Sequence, residues 1–121
     1  MAVDSTVFLR IIDALPEVTQ TQGGDYTSYR VRGKRFGYYW PRTRTVGLKQ
    51  LLHEQKALVA ERPDVFEVQF TSGAFGWVVV YLAGIDADEL TELVYEAWRL
   101  SAPEDLIDAH PEPPTLATGD G

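Results

Sequence analysis

The densest run of side chains able to do chemistry lies between residues 30 and 49, RVRGKRFGYYWPRTRTVGLK. Arg30, Arg32, Lys34, Arg35, Arg42, Arg44 and Lys49 supply seven of the chain's eleven cations there, and no acid interrupts them. Cationic side chains along a strand ribbon suit phosphate neutralisation, because duplex DNA presents one negative charge per about 1.7 Å of axis. An arginine among them can also read a base edge through a bidentate hydrogen bond. Tyr39 lies in the same segment, where its ring can stack on a base or its hydroxyl donate to a phosphate. The remainder of the chain is the reverse in charge. It carries all 18 acids, so a net charge of −7 conceals a segment of +7. With a Debye length of about 8 Å at physiological salt, such a patch acts independently of distant charge. Neutralisation inside the fold, or an edge guarded against strand pairing, would use the same segregation.

Other chemistry is mostly absent. There is no cysteine, which removes disulfides, thiolate nucleophiles, cysteine zinc sites and iron–sulfur clusters. His53 and His110 have no partner at ligand spacing, so no metal is assigned. Ser5, Ser28, Ser72 and Ser101 lack a nucleophile-elbow context, and Gly33-Lys34-Arg35 lacks the phosphate-loop pattern. Asp86, Asp88, Glu89, Glu92 and Glu96 read as a solvated helix face, since hard cations need several oxygens converging on one point. No catalytic residue and no cofactor is therefore expected. No apolar run approaches the roughly 18 residues of a membrane span, and MAVDST lacks the basic start of a signal peptide. A cytoplasmic location with no membrane partner is the expectation.

At 121 residues the chain suits one domain. Its hydrophobic periodicity sets the elements that must carry the basic segment. Val7, Phe8, Ile11, Ile12 and Leu15 recur at helical spacing behind Asp4 or Ser5, and Pro16 ends the pattern. TQTQGGD, residues 19–25, reads as a polar loop. YTSYRV and RFGYYW alternate on either side of a Gly33-Lys34 turn, which would set Arg32 opposite Arg35 and Tyr29 opposite Tyr38. Tyr29, Val31, Phe36, Tyr38 and Trp40 then form the core face, and Arg30, Arg32, Arg35 and Tyr39 the outer one. The aromatic cluster Tyr29, Phe36, Tyr38, Trp40 and Trp77 is read as core packing, with a base-stacking platform as the alternative. A third strand at 43–49, a helix from about 50 to 61, strands at VFEVQF and WVVVYL, and a last helix capped by Asp86 and Glu89 complete the pattern. The expected fold class is α+β: a two-layer α/β sandwich with an antiparallel five-stranded sheet in the order α-β-β-β-α-β-β-α. Residues 1–108 form the domain, and the proline-rich stretch 109–121 is expected to be a disordered tail.

ALPEV at 14–18, YRVRGKRFGYYW, VGLK at 46–49, ERPDVF at 61–66, GWVVVYL at 76–82 and DELTELVYEAWRLSAPEDLI at 88–107 together resemble the MmcQ/YjbR family of small bacterial proteins. The resemblance covers roughly residues 5–108. It implies the same two-layer order of helices and strands, a likeness to double-wing DNA-binding domains and to type III secretion chaperones, and no established catalytic residue. Where many relatives carry a His-Tyr pair before GWV, this chain reads TSGAFG. DNA binding through the basic hairpin is the leading expectation. Arg30, Arg32, Lys34 and Arg35 would make the contacts, with Tyr39, Arg42, Arg44 and Lys49 in support. A protein-interaction module using an open sheet face around Val78 and Val80, and a small-ligand binder, are the alternatives. A monomer is the expected state.

Overall fold

The computed structural model describes residues 3–116. Helix α1 (Ser5–Ala14) starts where the Asp4 carboxylate accepts the Val7 amide at 3.3 Å, filling one orphan donor of the first turn. Its stripe of Phe8, Ile11 and Ile12 is buried, as its spacing predicts. Six antiparallel strands follow: β1 (Val18–Gln22), β2 (Thr27–Val31), β3 (Lys34–Trp40), β4 (Thr45–Leu51), β5 (Phe66–Ser72) and β6 (Phe75–Tyr81). Helix α2 (Leu52–Glu61) lies between β4 and β5, and α3 (Ala87–Arg99) and α4 (Glu104–Ala109) end the order. The sheet runs β1-β2-β3-β4-β6-β5.

The sheet thus has six strands, not five. The additional one, β1, is made of the polar residues read as loop. VTQTQ has no alternation to announce it, because four of its five residues are exposed at the sheet edge. Pairing with Thr27–Val31 organises it, and the Gly23 amide closes the turn onto the Tyr26 carbonyl at 2.7 Å.

Helix α3 packs on β3, β4 and α1, while α2 packs on β5 and β6. Asp86 caps α3 by accepting the Glu89 amide at 2.9 Å. The core between the layers is one cluster containing Phe8, Tyr29, Phe36, Leu48, Val78, Val80, Val94 and Trp98. Val78 and Val80 are wholly buried in it, so they cannot serve the open-face association expected of them. Trp98 stacks on Tyr95 and donates to the Pro16 carbonyl at 3.1 Å. Part of the segment expected as a tail also lies on the domain. The Tyr95 hydroxyl donates to the His110 carbonyl, and Leu116 packs against the core. Residues 117–121 of that expected tail lie outside the described residues.

Candidate nucleic-acid interface

The turn between β2 and β3 sets the positions of the hairpin arginines. Its two central residues are Arg32 and Gly33, with φ of 50° and 85°. Both are positive, the signature of a type I′ turn whose twist matches the flanking strands. The expected Gly33-Lys34 turn is therefore one residue out of place. Val31 now pairs with Lys34, and Arg30 with Arg35. Arg32 leaves the strand and meets Glu17, which accepts from its Nε at 2.5 Å and from its Nη2 at 2.9 Å. Asp105 stands 3.9 Å from the same guanidinium. The hydrogen bond from Arg32 holds the Glu17 carboxyl below the usual carboxylate range. Arg32 is thus neutralised within the molecule and is not available as the expected phosphate contact.

A bulge between the Tyr29 and Arg30 pairs then exchanges the two faces of β3. Tyr29 pairs with Gly37 and Arg30 with Arg35, leaving Phe36 as the extra residue. Phe36 stays in the core, but beyond it the alternation reverses. Tyr39 turns inward against Phe8, with ring centroids 5.5 Å apart, so it is not the outward residue expected. Tyr38 and Trp40, expected in the core, stand on the outer face. They stack on each other at 5.6 Å with planes 12° apart.

This outer face carries a continuous aromatic row. Tyr38 also meets Tyr26 at 5.7 Å and Trp77 at 5.5 Å, and Trp77 stacks on Phe70 at 5.1 Å. Gly47 on β4 makes the middle of the row possible. It pairs with Tyr38 on one side and Val79 on the other, and with no side chain it lets rings from β3 and β6 meet above it. A methyl built on Gly47 would collide with the Gln69 carboxamide oxygen and come 3.1 Å from Cη2 of Trp40. A second register shift, between Val68 and Phe70, brings Phe70 opposite Trp77. Of the expected cluster, then, Tyr29 and Phe36 are core and Trp77 is buried at 6% exposure beneath the row, while Tyr38 and Trp40 are half-buried on the outer face.

Two arginines border the row. The Arg35 guanidinium sits 5.2 Å from the Tyr38 ring centroid, and its Nη1 donates to the Tyr38 hydroxyl at 2.8 Å. Arg30, directly across from it, donates to Thr21 Oγ1 at 3.4 Å. Neither forms an ion pair with a carboxylate among the described residues. Like charges opposed across two strands cost a few tenths of a kcal/mol, which a shared anion would remove. Lys34 is exposed beside them. Lys49 lies at the same end of the sheet but is half-buried. It donates to Ser101 Oγ at 3.0 Å and lies 4.1 Å from the Phe75 ring centroid. Burial, with the charge of Lys34 adding to it, lowers its pKa. Arg42 and Arg44 are exposed in the β3–β4 turn, at the far end of β3. The seven cations therefore do not form one row. Arg30, Lys34, Arg35 and Lys49 share one end, Arg42 and Arg44 the other, and Arg32 is paired.

Charge separates by layer. The strands hold Arg30, Lys34, Arg35 and Lys49 against a single acid, Glu67, whose carboxylate accepts the Tyr81 hydroxyl at 2.6 Å. Most acids of the described residues belong instead to the helices, with Asp105 of α4 reaching the hairpin turn at Arg32. No three His, Cys, Asp or Glu side chains converge on a metal position among the described residues, and no described helix is long and apolar enough to cross a membrane. Gly47, Gln69, Phe70 and Tyr26 escaped the sequence reading. Gly47 carried the one usable signal, an isolated glycine inside a strand pattern, which marks close approach of other groups.

Comparison with known proteins places this fold. The crystal structure of Deinococcus radiodurans protein DR2400, of the DUF419 family domain, superposes with a TM-score of 0.72 at 18% identity, covering 96% of this chain and 94% of that one. At that identity the likeness concerns the fold alone. Uncharacterised proteins Rv2570 of Mycobacterium tuberculosis and Mb2600 of Mycobacterium bovis are 38% identical over 53 residues, which is 44% of this chain and 41% of each relative. The match thus spans less than half the length of these curated relatives. The family model YjbR matches residues 13–100, most of the chain and both faces of the sheet. This chain belongs to the YjbR family.

Proposed function

We propose that this protein is a nucleic-acid-binding module that carries out no reaction of its own and uses the outer face of its sheet. The observation that carries this reading is the separation of charge by layer. Arg30 and Arg35 face each other across β2 and β3 without a carboxylate partner, and Glu67 is the one acid in the strands. A polyanion approaching the sheet meets cations and π-faces; approaching the helices, it meets repulsion. Arg30 and Arg35 are the phosphate contacts in this reading, with Lys34 exposed at the adjoining turn and Arg42 and Arg44 available to a longer ligand. Arg32, bound to Glu17, and Tyr39, packed on Phe8, drop out.

Fluorescence anisotropy with labelled 20-mers across a salt series tests it. Each phosphate contact contributes about 0.7 to 0.9 to the slope of log affinity against log salt. Arg30→Gln/Arg35→Gln should therefore flatten the slope by about 1.4 to 1.8. Equal slopes and affinities for both proteins would eliminate the proposal.

A second reading has one specific observation behind it. Phe70 and Tyr81 are 39% and 37% exposed on β5 and β6, at the edge of the same face, which suits a protein partner.

A further inference from the structure

Resting on the reading of the outer face as a nucleic-acid surface, we infer that its ligand is a single strand, with bases stacked on the aromatic row around Trp40 and Tyr38. Duplex reading by a β-ribbon needs two strands free to enter a groove about 12 Å wide. Here β2 and β3 are interior strands, flanked by β1 and β4, so the basic hairpin is part of a broad sheet and cannot enter as a ribbon. A duplex also hides its base faces. A single strand exposes them, and every base has a π-face to place on an aromatic ring.

The geometry supplies what such a strand requires. Arg30 and Arg35 stand at one end of β3, and Trp40 lies five residues along it from Arg35, about 16 Å at the usual strand rise. Phosphates at the arginine end and bases over the rings thus fit one strand crossing the sheet. Gly47 keeps β4 from raising a side chain through that path. Two polar atoms beside the rings have no hydrogen-bond partner: Arg35 Nε, a donor, and Gln69 Oε1, an acceptor near Trp40. Charge decides against an apolar protein segment as the principal occupant, because the row begins at two arginines that no carboxylate of the described residues neutralises.

The test compares a mixed-sequence 20-nucleotide strand with the duplex of the same sequence at equal salt, using wild type, Trp40→Ala and Trp40→Phe. Circular dichroism establishes that each variant is folded. The expected result is at least tenfold preference of wild type for the single strand, about tenfold loss in Trp40→Ala, and retention in Trp40→Phe. Equal or tighter duplex binding, with Trp40→Ala unchanged, overturns the single-strand inference while leaving nucleic-acid binding standing. Binding to neither ligand overturns both. Self-association in light scattering that Trp40→Ala abolishes, without nucleic-acid binding, assigns the row to a protein interface and also overturns both.

Discussion

Two glycines on opposite faces of the sheet should respond very differently to the same added methyl group. At Gly76, a Cβ would come 2.6 Å from both Cδ and Oε1 of Gln55 and 2.7 Å from its Cβ. Gln55 has little room to yield. It is 2% exposed and bolts α2 to the sheet by donating to the Phe70 carbonyl at 3.1 Å and the Trp77 carbonyl at 2.8 Å. Overpacking costs about 1–3 kcal/mol, and each lost hydrogen bond adds about 1 kcal/mol. Removing a glycine from the unfolded chain returns about 0.4–1 kcal/mol. Gly76→Ala should therefore destabilise by about 2–4 kcal/mol, which lowers Tm by roughly 8–16 °C in a domain near this size. At Gly47 the methyl meets the far end of Gln69 and one edge of Trp40, both on the outer face and able to move. Gly47→Ala should cost less than about 1 kcal/mol. Urea and thermal unfolding followed by circular dichroism give both values. Equal losses at the two positions, or a Gly76→Ala protein as stable as wild type, would refute the assignment of faces.

The Glu17–Arg32 pair makes stability depend on acidity. Because the folded carboxyl is held low, its contribution is complete above the unfolded value near 4.3 and is lost as pH falls through the folded one. Glu17→Gln should differ from wild type at pH 7 in low salt and converge with it towards pH 3 or in 1 M salt. A urea-midpoint gap independent of both pH and salt would contradict this. Tyr29 acts at the other extreme: burial pushes its phenol up to about 12. Folding then keeps a proton that the unfolded chain releases near pH 10, so stability falls as pH rises from about 10 to 12. The hydrogen bond to Glu67 also raises Tyr81 and burial raises Tyr95, so ultraviolet titration should show three of the six tyrosines ionising late, and Tyr29→Phe should remove the latest phase. All six ionising together near pH 10 would contradict it.

Helices α1 and α3 were legible because their periodicity and caps are local: Asp4 and Asp86 cap where the sequence places caps, and Phe8, Ile11, Leu90 and Val94 are buried as their spacing requires. The short α4 was not expected, and α2, which buries only Gln55, begins at Leu52 after β4 has taken Gln50 and Leu51. The antiparallel α+β class followed from the same pattern. Register was not legible. One residue of displacement at the Arg32-Gly33 turn moved Arg32 out of the strand, and one extra residue at Phe36 exchanged Tyr38 and Trp40 with Tyr39. Period-2 reasoning carries no information about where a bulge interrupts it. The edge strand β1 was invisible because a strand exposed on both sides has no hydrophobic pattern to read. The candidate site was legible as a charged segment but not as a surface. Arg30 and Arg35 belong to it, whereas the rings that complete it come from β5 and β6, far along the chain.

Amide and indole chemical-shift mapping during titration with a 20-nucleotide strand tests the outer face most directly. The expected shifts centre on Arg30, Arg35, Gly47 and the Trp40 and Trp77 indoles, leaving Arg32, Trp98 and the helix layer unmoved. Shifts centred on α1 and α3, or no shifts at millimolar strand, would contradict the assignment of that face to nucleic acid.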